Sequence, residues 1–251
     1  MNRRNAELQF FMDTTETVAS GVGFAHFDTV HLVWLSVFFV ITIINCFWFR
    51  KMEAPGRNCW KKVVAILLLA DELFKVVMLI IGERYTLGYL PLHLCSINIF
   101  LIAFHAWKPV KTIGGYLYMV GIPGAMAALL FPSWTSLPLG NFMHIHSFTV
   151  HILLALYPIV LAVSGELQLR AKIIPKCLLL LICMAVPIYI INILLDTNFM
   201  FLMEADPGNP LYLFEQLWGS HLLGFPVIIT GVLLLMFGPI EIYYKVKSRK
   251  A

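Results

Sequence analysis

Charged residues are scarce in this chain of 251 residues: they make up 13% of it, about half the share found in ordinary soluble domains. Hydrophobic residues make up 60%, a surplus that one soluble core cannot bury. The scarcity of charge excludes a conventional soluble enzyme. A net charge of +4, spread thinly along the chain, gives no footprint for nucleic acid. Lipid is the environment that accommodates such a composition.

Several familiar signals are also missing. Residues 1–27 carry arginines but no long apolar run behind them, so we expect no cleavable signal peptide. The five cysteines are odd in number and fall mostly within apolar runs, which does not suit a disulfide framework or a zinc motif. The sequence has no convincing internal repeat, and it predicts no cofactor.

Apolar runs are the dominant feature that is present, and seven of them approach the roughly 20 residues that a membrane-spanning helix needs. They predict an all-α polytopic membrane protein with an N-terminal segment (1–27), a seven-helix domain (28–244) and a basic tail (245–251). The predicted helices cover residues 28–49, 62–82, 89–106, 112–131, 144–164, 173–195 and 218–243. Small residues and a proline make the fourth helix breakable: Gly114, Gly115, Gly121, Pro123 and Gly124.

Lys and Arg alternate from loop to loop, and the side with the excess is the cytoplasmic side of a membrane protein. Fourteen of them fall in every second loop and in the tail, whereas Arg3, Arg4 and Arg84 fall on the other side. This pattern places the N-terminus outside and the C-terminus in the cytoplasm. The long connection at 196–217 carries four acidic residues, and its DPGNP segment is either an ordered outer cap or a plain solvated loop.

The predicted helix directions place seven of the eight histidines at or near the outer half of the membrane, with only His105 on the inner side. A single histidine in such a place usually caps or bridges its neighbours. The set as a whole predicts a shared polar cavity that opens to the outer leaflet. Its members are His26, His31, His93, His144, His146, His151 and His221.

The second helix carries three charges near the middle of the membrane, Asp71, Glu72 and Lys75, where each costs about 2.5–3.5 kcal/mol. Lys75 can pair with Asp71, four residues before it, or with Glu72, three residues before it. One carboxylate then needs a donor from another helix, which His93 or His151 could supply. The group is either a structural network that fixes helix packing or part of a functional site.

The segment LPLHLCS places Cys95 near the start of the third helix, where the positive end of the helix dipole favours a thiolate. Residues two apart point to different faces of a regular helix, so His93 is a poor base for Cys95. His151 lies at a comparable depth on the fifth helix, with Ser147 and His144 on the same stripe. A Cys95–His151 pair would meet the needs of nucleophilic acyl transfer, although a lone membrane cysteine is more often a small inert hydrophobe.

Two other kinds of site remain open. His144, His146 and His221 are a weak alternative set of metal ligands, since two histidines spaced as HxH do not share a helix face. The charged group of the second helix, together with the histidines, could instead form the binding site of a proton- or ion-coupled small-molecule transporter or channel.

The order of the motifs LLLADE, LPLHLCS, HSFTVH, NILLDTNFMFL and a downstream NP resembles the YwaF-like family of seven-pass bacterial membrane proteins, over nearly all seven runs. That family is similar to a eukaryotic transmembrane acyltransferase that remodels ether phospholipids, and the wider group includes membrane hydrolases of fatty-acid esters. The resemblance implies a multi-pass protein of a bacterial plasma membrane, whose partners are membrane lipids and whose substrate is a lysophospholipid or a phospholipid.

Carried over residue by residue, the resemblance implies that Cys95 is the nucleophile and His151 the histidine of the site. Glu72 and Asn198 fall on polar family positions without an assigned role. Four further residues are expected to support the site: Asp71, Lys75, His93 and Ser147. The leading hypothesis is a lipid acyltransferase with a Cys–His mechanism in an outer-leaflet pocket, and a lipid-ester hydrolase is its nearest variant.

Overall fold

The computed structural model describes residues 10–205 and 210–249. Over these residues the chain is all-helical, with no strand, and large apolar side chains remain exposed along most of the helices. Six stretches are long and apolar enough to cross a membrane: Thr29–Lys51, Leu87–Trp107, Lys111–Leu130, Phe142–Val163, Ala171–Leu195 and His221–Ser248. The predicted class, an all-α multi-pass membrane protein, is thereby confirmed.

Nine helices are used below to place the side chains. They are α1 (Thr29–Lys51), α2 (Ala54–Ile81), α3 (Leu94–Trp107), α4 (Lys111–Tyr116), α5 (Ile122–Leu130), α6 (Phe142–Val163), α7 (Ile174–Leu195), α8 (Pro210–Trp218) and α9 (Gly224–Arg249). In the most apolar 18-residue segment of α6, 67% of the residues are buried, against 11% in the corresponding segments of the stretches that contain α7 and α9. The bundle is therefore built around α6, while α7 and α9 present most of their surface to the surroundings.

The second predicted helix differs from the others because it carries charge in its centre. α2 has 28 residues, and Asp71, Glu72 and Lys75 lie in the middle of its apolar run, which keeps it out of the six apolar stretches. It begins at Ala54 rather than near residue 62. The predicted loop between the first two helices is therefore only a short turn. Pro55 suits a first helical turn, and the basic residues that follow it have a partner within the protein.

That partner is Glu166, in the connection between α6 and α7. The Lys61 Nζ lies 3.0 Å from Glu166 Oε2, and the Arg57 Nη1 lies 3.6 Å from Oε1. Further along the same connection, the backbone N–H of Ala171 donates to Glu241 near the end of α9, at 2.8 Å. These contacts gather the start of α2, the α6–α7 connection and the end of α9 at one end of the bundle, which we call the basic face.

The fourth predicted span is irregular. A π-helical turn, Leu117–Gly121, joins α4 to α5. Pro123 lacks the N–H that would bond the carbonyl of Met119, and glycines on either side permit the change of helical pitch. The prediction that this helix is breakable agrees with the structure.

At the end opposite the basic face, α1 begins with a side-chain cap. Asp28 accepts hydrogen bonds from the backbone N–H groups of His31, at 2.9 Å, and Ala25, at 3.0 Å. These bonds lower the pKa of the Asp28 carboxyl. The His31 ring meets the carbonyl of Leu129 at 2.8 Å, which ties α1 to the end of α5. His31 is thus a structural residue.

Two predicted boundaries need correction or fall outside the structure. α9 begins at Gly224, so His221 lies in the 3₁₀ turn before it rather than one turn inside the helix. In the connection 196–217, the structure forms the 3₁₀ turn Phe199–Phe201 and then α8. Residues 206–209, which make up most of the predicted DPGNP cap, lie outside the described residues.

Gly23 offers a direct test of packing opposite the basic face. A Cβ at this position would lie 1.9 Å from the Thr135 carbonyl oxygen, and the next residue, Phe24, donates to that same oxygen at 2.8 Å. Because backbone cannot move away as a side chain can, we expect Gly23→Ala to lower the free energy of unfolding by about 1–3 kcal/mol. Thermal unfolding of the purified protein measures this loss. Gly140→Ala is the control, since its Cβ meets nothing within 4 Å; equal stability of the two variants would contradict the packing.

Candidate functional site

A cavity of about 200 Å³ lies between α2, α6 and the start of α3, toward the end of the bundle opposite the basic face. It brings together most of the residues that the sequence singles out, and His146 with them. The reactive or ionisable residues in its lining are Glu72, Lys75, Tyr89, His93, Cys95, Ser96, His146, Ser147 and His151. Of the predicted site residues, Asp71 and Asn198 are not in the lining, and neither are His144 and His221 of the alternative metal set.

Cys95 is the second residue of α3 and reaches the cavity from the start of that helix. His93 precedes the helix as its N-cap, with an extended backbone at φ −67° and ψ 153°. Both side chains therefore line the same cavity, contrary to the expectation for a regular helix, because the chain is not yet helical at His93. Ser96, the next residue of α3, lines the same cavity.

His151 is held in one orientation by its own helix. Its Nδ1 lies 2.6 Å from the carbonyl oxygen of Ser147. A carbonyl can only accept, so Nδ1 carries the proton, and in the neutral ring Nε2 then carries the lone pair. The Trp134 ring stacks on the imidazole, with centroids 5.2 Å apart and planes 14° apart. A neutral imidazole with a fixed tautomer is what a general base requires.

Two pairs of titratable side chains stand beside these residues. The Lys75 Nζ lies 2.6 Å from Glu72 Oε1, with both residues buried. Asp71 approaches a histidine on α6: its Oδ2 lies 2.9 Å from His146 Nδ1, without the alignment of a hydrogen bond. Lys75 thus bonds to Glu72 rather than Asp71, because residues 72 and 75 turn toward the cavity. The second carboxylate meets His146, not His93 or His151 as expected.

The sequence model of the TMEM164 family matches residues 26–237. The chain belongs to the TMEM164 family. The matched range contains every residue of the cavity lining. No curated protein and no solved structure matches the chain significantly. Membership of a transmembrane family agrees with the predicted multi-pass membrane protein, while the narrower YwaF-like and bacterial assignments stay predictions.

In this TMEM164-family protein, several predicted site residues have structural roles instead. The His144 ring accepts from Trp34 Nε1 at 2.9 Å and donates to the Leu137 carbonyl at 3.0 Å, so both of its nitrogens are used. His221 is buried next to α9, and Asn198 folds the turn 198–204 with its amide. Across the described part of the chain, no three His, Cys, Asp or Glu side chains are grouped to hold a metal.

The rim of the cavity depends on a residue to which the sequence analysis assigned no role, Asn192 near the end of α7. Its Oδ1 accepts from the backbone N–H of Phe199 at 2.8 Å, and its Nδ2 donates to the Phe199 carbonyl at 3.0 Å. Phe199 in turn packs edge-on against the His93 ring, with centroids 5.1 Å apart. The motif NILLDTNFMFL therefore marks a folded rim that positions His93. Its two asparagines, Asn192 and Asn198, were the features of the sequence that could have indicated this turn.

Proposed function

We propose that this TMEM164-family protein is a membrane lipid acyltransferase in which Cys95 is the nucleophile and His151 the general base. The observation that carries the proposal is the shared cavity: both side chains line it, and the His151 tautomer leaves the lone pair on Nε2. A nucleophile and a base of this kind are the two parts that covalent acyl transfer requires.

The proposal includes a topology of seven spans, with α2 as the seventh. Its 28 residues extend about 42 Å, more than the roughly 30 Å of a bilayer core. Glu72 and Lys75, two of its three central charges, are buried against α3 and α6 rather than exposed to lipid. With the basic face in the cytoplasm, the N-terminus is outside and the cavity belongs to the outer leaflet.

The reaction proceeds through an acyl-enzyme. His151 Nε2 takes the proton of the Cys95 thiol, and the thiolate attacks the ester carbonyl of a phospholipid donor. The C–O bond breaks, and the departing lysolipid oxygen receives the proton from His151, which leaves a thioester on Cys95. His151 then deprotonates the hydroxyl of a lysophospholipid or ether-lipid acceptor, whose oxygen attacks the thioester. The C–S bond breaks, and the thiolate receives from His151 the proton that His151 took from the acceptor.

The size of the cavity limits what it holds. At about 200 Å³ it is smaller than the roughly 300–1,000 Å³ that encloses a whole ligand. The reacting ester and the adjoining glycerol therefore enter the cavity, while the acyl chains stay among the helices and the surrounding lipid. Water as the acceptor in place of the lipid hydroxyl would make the same site a lipid-ester hydrolase.

The two titratable pairs beside the cavity favour one second candidate, a proton- or ion-coupled transporter. Glu72 with Lys75, and Asp71 with His146, put titratable groups of both signs in the middle of the bundle. Solute uptake into proteoliposomes under a pH gradient, undiminished by Cys95→Ala, would support transport and contradict acyl transfer.

We expect His151→Ala to lower turnover by about 10²–10⁴-fold, since a general base contributes that much to a rate. The measurement is transfer of a labelled acyl chain from phospholipid to lysophospholipid by protein in nanodiscs. His26→Ala is the control, because His26 is exposed and outside the cavity. Unchanged turnover in a folded His151→Ala protein would remove the base from the mechanism, and partial rescue by added imidazole would support it.

A further inference from the structure

A second cavity, larger than the first, opens at the basic face between α6 and the end of α9. Its volume is about 780 Å³, within the range of pockets that enclose a ligand. It shares no lining residue with the Cys95 cavity. Its walls are largely apolar, formed by Ile159, Ala162 and Val163 on α6 and by Pro239 and Ile240 on α9. The proposed chemistry makes no use of it.

Tyrosines and one arginine surround the mouth of this cavity. The Arg170 guanidinium lies over the Tyr244 ring, 4.1 Å from its centroid, and its Nε is 3.8 Å from Glu241 Oε1. The guanidinium has two further NH₂ groups that can bind a phosphate in a bidentate manner. Tyr118 and Tyr243 are also in the lining, and tyrosine is enriched where a protein crosses the membrane–water interface.

The charge around the mouth is positive after the ion pairs are taken into account. Glu166 is neutralised by Lys61 and Arg57, and Glu241 contacts Arg170. Four exposed lysines lie within six residues of Arg170 or Tyr244 in the chain and take no part in these pairs: Lys172, Lys176, Lys245 and Lys247. A deep apolar cavity with a cationic rim is complementary to an anionic amphiphile.

We propose that this cavity binds one anionic phospholipid from the leaflet next to the basic face. Arg170 holds the phosphate, and the acyl chains lie along the apolar wall between α6 and α9. Only 11% of the most apolar 18-residue segment in the stretch that contains α9 is buried. A lipid at this place therefore supplies packing that the protein lacks. The proposal rests on insertion of the bundle in a membrane, and it is independent of the Cys95 chemistry.

The test titrates phosphatidylglycerol or phosphatidylcholine against the purified full chain in detergent and counts bound lipid by native mass spectrometry. We expect phosphatidylglycerol to bind more tightly. Arg170→Gln should weaken it about fivefold, the amount that one basic residue contributes near a membrane surface. Ala162→Trp should fill the apolar wall and remove the bound lipid. Lys51→Gln, a charge change at the end of α1 outside the cavity, should leave binding unaltered.

A phosphatidylglycerol with a photoreactive acyl chain provides the second measurement and does not depend on any variant. Its cross-links should map to residues 159–170 or 239–244. Equal affinity for the two lipids, cross-links elsewhere, cross-links to a second copy of the chain, or unaltered binding in a folded Ala162→Trp protein would each overturn the proposal. Cys95→Ala should bind the lipid normally, so loss of the acyltransferase hypothesis would leave this site standing.

Discussion

Replacing Cys95 by alanine will abolish acyl transfer, with turnover falling by roughly 10⁴-fold or more. The expected loss is this large because the sulfur forms the covalent bond to the acyl group, and no neighbouring side chain in the lining can replace it in the same position. Ser96 also lines the cavity but has no base assigned to it. The measurement is the initial rate of labelled acyl transfer in nanodiscs, at saturating donor and acceptor.

The control for this prediction is a second cysteine. Cys183 on α7 is exposed and lies outside the cavity, so Cys183→Ala should retain full activity. Size-exclusion profiles of both variants show whether the fold survives the substitution. A folded Cys95→Ala protein with undiminished turnover would exclude the nucleophile role, whatever the histidines do.

Replacing Glu72 by alanine will destabilise the bundle by about 3–5 kcal/mol, the cost of leaving one member of a buried ion pair alone. Lys75 is 7% exposed, and its ammonium lies 2.6 Å from the Glu72 carboxylate. After the substitution, the Lys75 ammonium must lose its proton or be hydrated by water that enters the site; otherwise the site unfolds. Thermal or denaturant unfolding of the purified protein in one defined detergent measures the change.

Two further variants decide what the Glu72–Lys75 pair does. The double replacement Glu72→Met with Lys75→Met should recover most of the stability, because two apolar side chains of similar size remove both desolvated charges. Glu53→Ala is the control for a carboxylate, since Glu53 is exposed and makes no capping bond; its effect should stay within about 0.5 kcal/mol. Wild-type stability of Glu72→Ala would show that Lys75 does not depend on this partner.

The helices were predictable because a bilayer demands long apolar runs, and such runs are visible in a sequence. The start of α2 was missed because its basic residues resembled a solvated loop. Lys61 and Arg57 instead extend to Glu166, about a hundred residues away in the chain, and nothing local in the sequence signals that contact. Helix direction, inferred from the loops, predicted that the site residues share a depth, and most of them line one cavity.

Depth alone does not give the rotation of each helix, and this limited the prediction of the site. Asp71 and Glu72 are neighbours, yet one approaches His146 on α6 and the other bonds Lys75. Tertiary contacts also determine which of the histidines line the cavity. His31 bonds the carbonyl of Leu129 and His144 accepts from Trp34, both far away in the chain, so the predicted cavity holds only some of the outer histidines. The break at His93 is local, but the sequence pattern there resembles a regular helix start.

Detection of an acyl group bound to Cys95 tests the central claim most directly. Protein in nanodiscs is incubated with a phospholipid donor that carries a defined acyl chain, without acceptor, and is then quenched in acid and digested. The peptide that contains Cys95 should gain the mass of that acyl chain, lose it with neutral hydroxylamine, and show no gain in Cys95→Ala. Two results would contradict the mechanism. One is continued acyl transfer with the acyl chain attached to a residue other than Cys95; the other is continued acyl transfer with no covalent adduct in the wild-type protein as well as in His151→Ala.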